Sequence, residues 1–136
     1  MQFIIKGKMP SLNEVIDVSR RNKFAGNRLK QDIQQDIELQ IYQQIRENDL
    51  QKLLPLPYMA DFRFTYYEKN QKRDKDNIAS CKKFLFDALV KRGVINNDGW
   101  KWVGRFEEDF LLGEDYMVVI DIEKSKGEEK CQKTMK

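Results

Sequence analysis

A chain of 136 residues, 40% apolar and 35% charged, can bury a core in one domain and carries a heavily charged surface. Its net charge of +3 is too small to name a partner, and the lack of histidine excludes Cys/His zinc sites and histidine-based nucleophilic triads. Two cysteines, Cys81 and Cys131, make no disulfide framework, and no apolar run approaches the ~18 residues of a spanning helix. With no signal peptide visible at the amino terminus, the expectation is a cytoplasmic protein, neither secreted nor embedded in a membrane.

Gln2 to Lys6 reads as a short buried strand. Gly7 to Asn13 is a turn, with Ser11 placed to cap a short helix through Val18. Arg20 to Lys30 then holds five basic residues and no acid, Arg20, Arg21, Lys23, Arg28 and Lys30, interrupted by Gly26 and Asn27. It reads equally as a solvated loop or as a contact to a nucleic-acid backbone. Leu29, Ile33, Ile37, Ile41 and Ile45 recur every four residues and predict a long helix from about 29 to 46, its glutamines lying on solvated surface.

Pro55 and Pro57 end that pattern. Ala60 to Glu68 alternates Phe62, Phe64 and Tyr66 with polar neighbours, the pattern of a strand whose aromatics face a core. A polar loop, Lys69 to Lys72, precedes Asp74 and Asp76, and Asp76 or Asn77 stands where a helix N-cap is expected. Ile78, Cys81, Phe84, Leu85, Ala88 and Leu89 then recur at helical spacing up to Arg92. The Asn96-Asn97-Asp98-Gly99 segment is a turn. Trp100 to Glu107 and Tyr116 to Glu123 read as strands, the first with Trp100, Trp102 and Phe106 on one side. The predicted fold is a single α/β (α+β) domain over residues 1–123 in the order β-α-β-α-β-β. It would hold a four-stranded mixed sheet with two helices packed on it, followed by a charged, disordered tail over 124–136.

Asp74 and Asp76 carry the chemistry. They follow directly on a strand, where function-bearing loops sit, and lie among Lys72, Arg73 and Lys75, which favour ionised carboxylates and recruit phosphates. An isolated Asp-x-Asp is common, and Asp76 alone would serve as a helix cap. An EF-hand loop is excluded, since Ile78 takes its fifth position and the glycine of its sixth is missing. Asp98 is the third candidate, but a helix over 78–92 is about 22 Å long. The steps from Gly93 to Asp98 retrace at most about 17 Å. Either the chain folds back beside the helix or a second subunit supplies its own Asp98.

Asp74-x-Asp76-Asn77, then Lys83, then Phe86-Asp87-Ala88-Leu89, then Asn97-Asp98, together with Pro10-Ser11-x-Asn13 near the amino terminus, resembles the RusA family of Holliday junction resolvases. The likeness spans most of residues 3–123. It implies a small homodimeric, magnesium-dependent crossover junction endodeoxyribonuclease of the kind found in phages and prophages, acting in DNA recombination and repair. The family's catalytic aspartates match Asp74, Asp76 and Asp98, and its essential lysine matches Lys83 when counted back from Phe86-Asp87-Ala88-Leu89. The spacing from the acidic pair is longer here than in the best-known members, which keeps the neighbouring Lys82 in play, and Asn97 stands where some members carry another acid.

The expected mechanism is hydrolysis of a phosphodiester. Asp74, Asp76 and Asp98 would hold one or two Mg²⁺ ions, with Mn²⁺ able to substitute, to lower the pKa of bound water and stabilise the leaving oxygen. Lys83 would neutralise transition-state charge or orient the water; without the resemblance it reads as a solvent-facing helix lysine. Asn77, with Asn13 as a further support, would fix the loop or cap the helix. Arg20, Arg21, Lys23, Arg73, Lys75 and Lys82 are the candidate DNA-backbone contacts. A four-way junction has approximate two-fold symmetry, which suits a homodimer; Trp100, Trp102 and the first strand are its candidate interface. A nuclease for flaps or other branched DNA and a non-catalytic DNA-binding module are the competing readings. A nucleotide-sugar transferase would need a further domain.

Overall fold

Alternating apolar and polar residues produce four strands, β1 (Gln2–Lys6), β2 (Ala60–Glu68), β3 (Val103–Leu112) and β4 (Met117–Lys124), in the computed structural model, which describes residues 1–126. They form one mixed sheet in the order β1-β4-β2-β3, β4 antiparallel to both its neighbours and β2 parallel to β3. Phe62, Phe64 and Tyr66 point to one face and are almost fully buried, so the alternation in β2 is core patterning. Phe86 meets Phe62 and Phe64 edge-on, with ring centroids 5.2 and 5.3 Å apart.

The helices are α1 (Leu12–Arg21), α2 (Lys23–Glu47), α3 (Lys75–Ala79) and α4 (Lys82–Lys91), with a short 3-10 turn at Gln51–Leu53. Ser11 caps α1, its Oγ accepting the Glu14 N–H at 3.2 Å. The isoleucines of α2, from Ile33 to Ile45, are all buried in the core. The single α+β domain and its four-stranded mixed sheet stand as expected; the described residues hold four helices, where two packed on the sheet and a short one capped by Ser11 were expected.

Three boundaries differ from the expectation. The basic stretch from Arg20 to Lys30 is helical, broken only at Asn22, whose Oδ1 accepts the Phe24 and Ala25 N–H groups and starts α2 at Lys23. Gly26 lets the two helices cross closely there, since a Cβ on it would sit 2.6 Å from Ser19 Cα. The helix expected over 78–92 starts earlier and is divided at Ser80 and Cys81. Ser80 Oγ donates to the Asn77 carbonyl at 2.6 Å, competing with the helical ladder at that point. The third strand begins at Val103, so Trp100 lies in the preceding turn and is 96% exposed.

The two sheet edges are treated differently. On β1, Gln44 accepts the Ile4 N–H at 2.8 Å and donates to the Ile4 carbonyl at 2.7 Å. Gln40 does the same for Lys6, at 2.7 and 3.0 Å. Two helix glutamines thus stand in for a missing strand. Among the described residues β3 has no such cover.

Among those residues, too, no helix is long and apolar enough to cross a membrane. Of the tail expected from Lys124, that residue ends β4 and the Ser125 N–H donates to the Met59 carbonyl at 2.8 Å. From residue 127 the tail, including Cys131, lies outside the described residues.

Candidate functional site

The site begins where β2 ends. Glu68 shares the buried face of β2 with Phe62, Phe64 and Tyr66, so an acid there needs a fixed cation. Arg73 supplies it through a two-pronged contact, Nε and Nη2 donating to the two Glu68 carboxylate oxygens at 3.0 and 2.9 Å. Arg73 Nη1 donates to the Met9 carbonyl at 2.8 Å. That bonding to Glu68 raises the guanidinium's pKa above its ordinary value, against the opposing effect of burial. Arg73 therefore ties the loop to the fold from inside.

Asp74 follows as the N-cap residue of α3, with extended backbone and with its carbonyl accepting the Ile78 N–H at 3.0 Å. The cap is thus Asp74 rather than Asp76 or Asn77, and Asp76 sits in the first turn. Both carboxylates are exposed, and neither has a hydrogen bond or ion pair among the described residues. Asn77 holds the segment in place, its Oδ1 accepting from Asn13 Nδ2 at 3.1 Å. Ser80 Oγ accepts the Leu12 N–H at 3.0 Å. The Pro10-Ser11-x-Asn13 turn and the Asp74-x-Asp76-Asn77 loop are thus bonded to each other. A groove of about 260 Å³ opens beside Asp74, walled by Arg73, Ile78 and the β3 residues Phe110, Leu111 and Leu112.

The two lysines separate. Lys82 faces the sheet, donating to Glu108 Oε1 at 2.8 Å and lying 4.4 Å from the Phe106 ring centroid. The other Glu108 oxygen accepts the Tyr66 hydroxyl at 2.9 Å, and burial foremost raises that hydroxyl's pKa. Lys83 is exposed and without a partner among the described residues, in the first turn of α4 and across the division from Asp76. Cys81 is buried beneath the division between the helices, and burial pushes its thiol up to about 12.

Asp98 lies elsewhere. Its turn runs straight into β3, the Trp102 and Val103 N–H groups donating to the Gly99 carbonyl at 3.1 and 3.0 Å. Because β3 runs parallel to β2, with Val103 opposite Ala60 and Leu112 opposite Glu68, Asp98 is at one end of this strand pair and Asp74 at the other. Eight strand steps separate those ends, about 26 Å at ~3.3 Å each. Among the described residues no three acidic or cysteine side chains come together as a metal-holding group. One chain therefore gathers Asp74 and Asp76 with Asn77 and Asn13, and does not bring Asp98 to them.

Of the candidate DNA contacts, Arg20, Arg21 and Lys23 stand exposed and unpartnered at the α1–α2 elbow, beside Phe24, which is 86% exposed. Lys75 is exposed with its Nζ 5.6 Å from the Phe110 ring centroid, whereas Arg73 and Lys82 are engaged inside the fold. Sequence reasoning missed Glu68 and Glu108. For Glu68 the signal was parity, since it falls in step with the buried Phe62, Phe64 and Tyr66 and so demands a cation; Glu108 lies between the exposed Phe106 and the half-buried Phe110 and gave no such signal. Compared with known protein families and with curated proteins, the chain matches none.

Proposed function

We propose that the chain is a cytosolic, Mg²⁺-dependent endodeoxyribonuclease that resolves four-way (Holliday) DNA junctions by paired symmetrical nicks. The observation that carries this reading is the loop of Asp74 and Asp76. Two solvent-facing carboxylates without internal partners are held by Arg73, Asn77 and Ser80 against the Met9–Asn13 turn, within the same motif that resembles the resolvases. The donor chemistry fits a hard cation, since Mg²⁺ takes one or two carboxylates and completes its shell with water and phosphate oxygens. Such an ion supplies Lewis acidity and neutralises charge on the phosphate.

The residues' own parts follow from their positions. Asp74 and Asp76 hold the cation, Lys83 offers an uncommitted ammonium to the transition state, and Asn13 with Asn77 keeps the loop in register. Because Asp98 stands at the far end of the β2–β3 pair, its participation requires a homodimer in which Asp98 of the partner subunit completes the acidic set. The basic elbow at Arg20, Arg21 and Lys23 holds the phosphate backbone without reading sequence.

The unpartnered elbow and the incomplete acid set also favour a second reading, a DNA-binding module without catalysis. Incubation with a synthetic four-way junction and Mg²⁺ separates the two. Symmetrical nicks from the parent protein, and none from Asp76→Asn with binding retained, support the resolvase. Binding without cleavage by either protein supports the module. Equal cleavage by both removes the acid pair from the reaction.

A further inference from the structure

We propose that Phe24 gives this chain a preference for branched over continuous DNA: standing out from the α1–α2 elbow, its ring enters the stack at a branch point and lies against an unstacked base. The inference deepens the branched-DNA nuclease reading and rests on it, while its binding test does not require cleavage.

An apolar side chain exposed alone needs no explanation. Phe24 is 86% exposed, and three features of its setting distinguish it. Its neighbours are cations. Arg20, Arg21 and Lys23 precede it, and Arg28 follows one turn later on the same face of α2. All four are exposed and unpartnered among the described residues, and Asp17, a turn before the arginines on α1, bonds to neither. The first turn of α2 holds no acid and opens on Lys23, although the positive end of a helix favours acids. Such a charge distribution opposes folding locally and suits an anion brought from outside.

The elbow is also rigid. Asn22 Oδ1 accepts the N–H groups of Phe24 and Ala25 at 3.0 and 3.2 Å, and the Asn22 N–H donates to the Val18 carbonyl at 2.9 Å. Gly26 is buried against Ser19, where a Cβ would meet Ser19 Cα at 2.6 Å. The backbone that carries the ring is therefore fixed before any ligand arrives, and little ordering cost remains for binding.

The ring stands by itself on its helix. Three, four and seven residues along α2 come Asn27, Arg28 and Gln31, all exposed. A lipid surface takes a broad apolar helix face, which these residues deny. One ring among cations matches nucleic acid, which sets phosphates beside flat base faces. Insertion into a continuous duplex costs unstacking of a base step. At a branch point the stack is already interrupted, so the same insertion costs less. The cations hold both DNA forms alike, whereas the ring tells them apart. One helix ties this contact to the acidic loop. The Leu12 N–H at the start of α1 donates to Ser80 Oγ, and the elbow lies ten residues on, about 15 Å of helix.

The test compares a four-way junction with a duplex of equal length, without Mg²⁺, by fluorescence anisotropy. The parent should bind the junction more tightly. Phe24→Ala should weaken junction binding roughly tenfold and leave duplex binding unchanged. Its slope of log K against log salt should equal the parent's, because no charge is lost. Phe24→Tyr should restore the preference. A 2-aminopurine at the branch point should brighten when saturated with the parent, and less with Phe24→Ala. A parent without junction preference, equal losses on both DNAs, or equal brightening by both proteins overturns the proposal. So does parent binding to phosphatidylserine vesicles that Phe24→Ala abolishes while its junction affinity stays unchanged. A Phe24-dependent preference in a chain that never cuts with Mg²⁺ sinks the nuclease reading alone. Cleavage by Phe24→Ala with the parent's junction preference sinks the role of Phe24 alone.

Discussion

Asn13 donates its Nδ2 to Asn77 Oδ1 across 3.1 Å, joining segments 64 residues apart in the chain. With the Leu12–Ser80 and Arg73–Met9 bonds it fastens the loop that presents Asp74 and Asp76. Asn13→Ala removes one exposed hydrogen bond, so urea unfolding should show a loss of only about 0.5–1 kcal/mol. Junction cleavage should fall roughly tenfold or more, because small displacements of positioned groups weigh heavily on rate. Unchanged cleavage would strip Asn13 of a positioning role.

The Arg73–Glu68 contact is mostly buried, with side chains 16% and 9% exposed, and removal of one partner strands the other. Arg73→Ala should lower unfolding free energy by about 3 kcal/mol, the low end for a buried pair because the contact keeps some exposure. Arg73→Lys keeps the charge and loses the two-pronged geometry, and should fall between the parent and the alanine variant. Equal unfolding midpoints for all three proteins would show the contact to be dispensable.

The sequence made the interior legible and left the borders obscure. The isoleucine stripe of α2 and the aromatic alternation of β2 read directly, because burial imposes their periods. The basic stretch offered no apolar period, so the helix restarting at Asn22 was invisible without the cap that Asn22 makes. The position of Asp98 was open because spacing constrains only reach; the parallel register of β2 and β3 decides it. Gln40 and Gln44 looked like solvated surface, since nothing local says that β1 lies at a sheet edge. They give the third prediction. Gln44→Ala should cost about 1–2 kcal/mol and Gln40→Ala less, because the Ile4 bonds are part-buried and those to Lys6 exposed. The double variant should aggregate on concentration as its β1 edge opens, measured by light scattering.

Alkaline stability should be sensitive to Cys81. Its thiol is pushed up to about 12 by burial from an ordinary value of 9.0, so between those limits the unfolded chain releases a proton that the folded chain retains. Stability is thus fully present below pH 9.0 and declines as pH rises toward about 12. The slope from this one group is about 1.4 kcal/mol per pH unit. Tyr66 acts in the same direction at higher pH, its hydroxyl also raised by burial. Cys81→Ala should flatten the early part of the decline in urea titrations between pH 8 and 11. A decline equally steep in that variant would assign it to other groups.

The salt dependence of DNA binding discriminates the outer cations from the inner ones. Each phosphate neutralised on duplex DNA contributes about 0.9 to the slope of log K against log salt. Arg20, Arg21 and Lys23 are exposed and unpartnered, so their combined replacement by alanine should reduce that slope by up to about 2.7. Affinity should weaken similarly for junction and duplex, because backbone contacts carry no shape or sequence information. Lys82 is bonded to Glu108 and Arg73 to Glu68, so replacing either should leave the slope where it was even if the protein is destabilised. Fluorescence anisotropy across a range of salt concentrations reads both results. A slope lowered by Lys82→Ala and untouched by the elbow variant would move the DNA from the α1–α2 elbow to the face of β3.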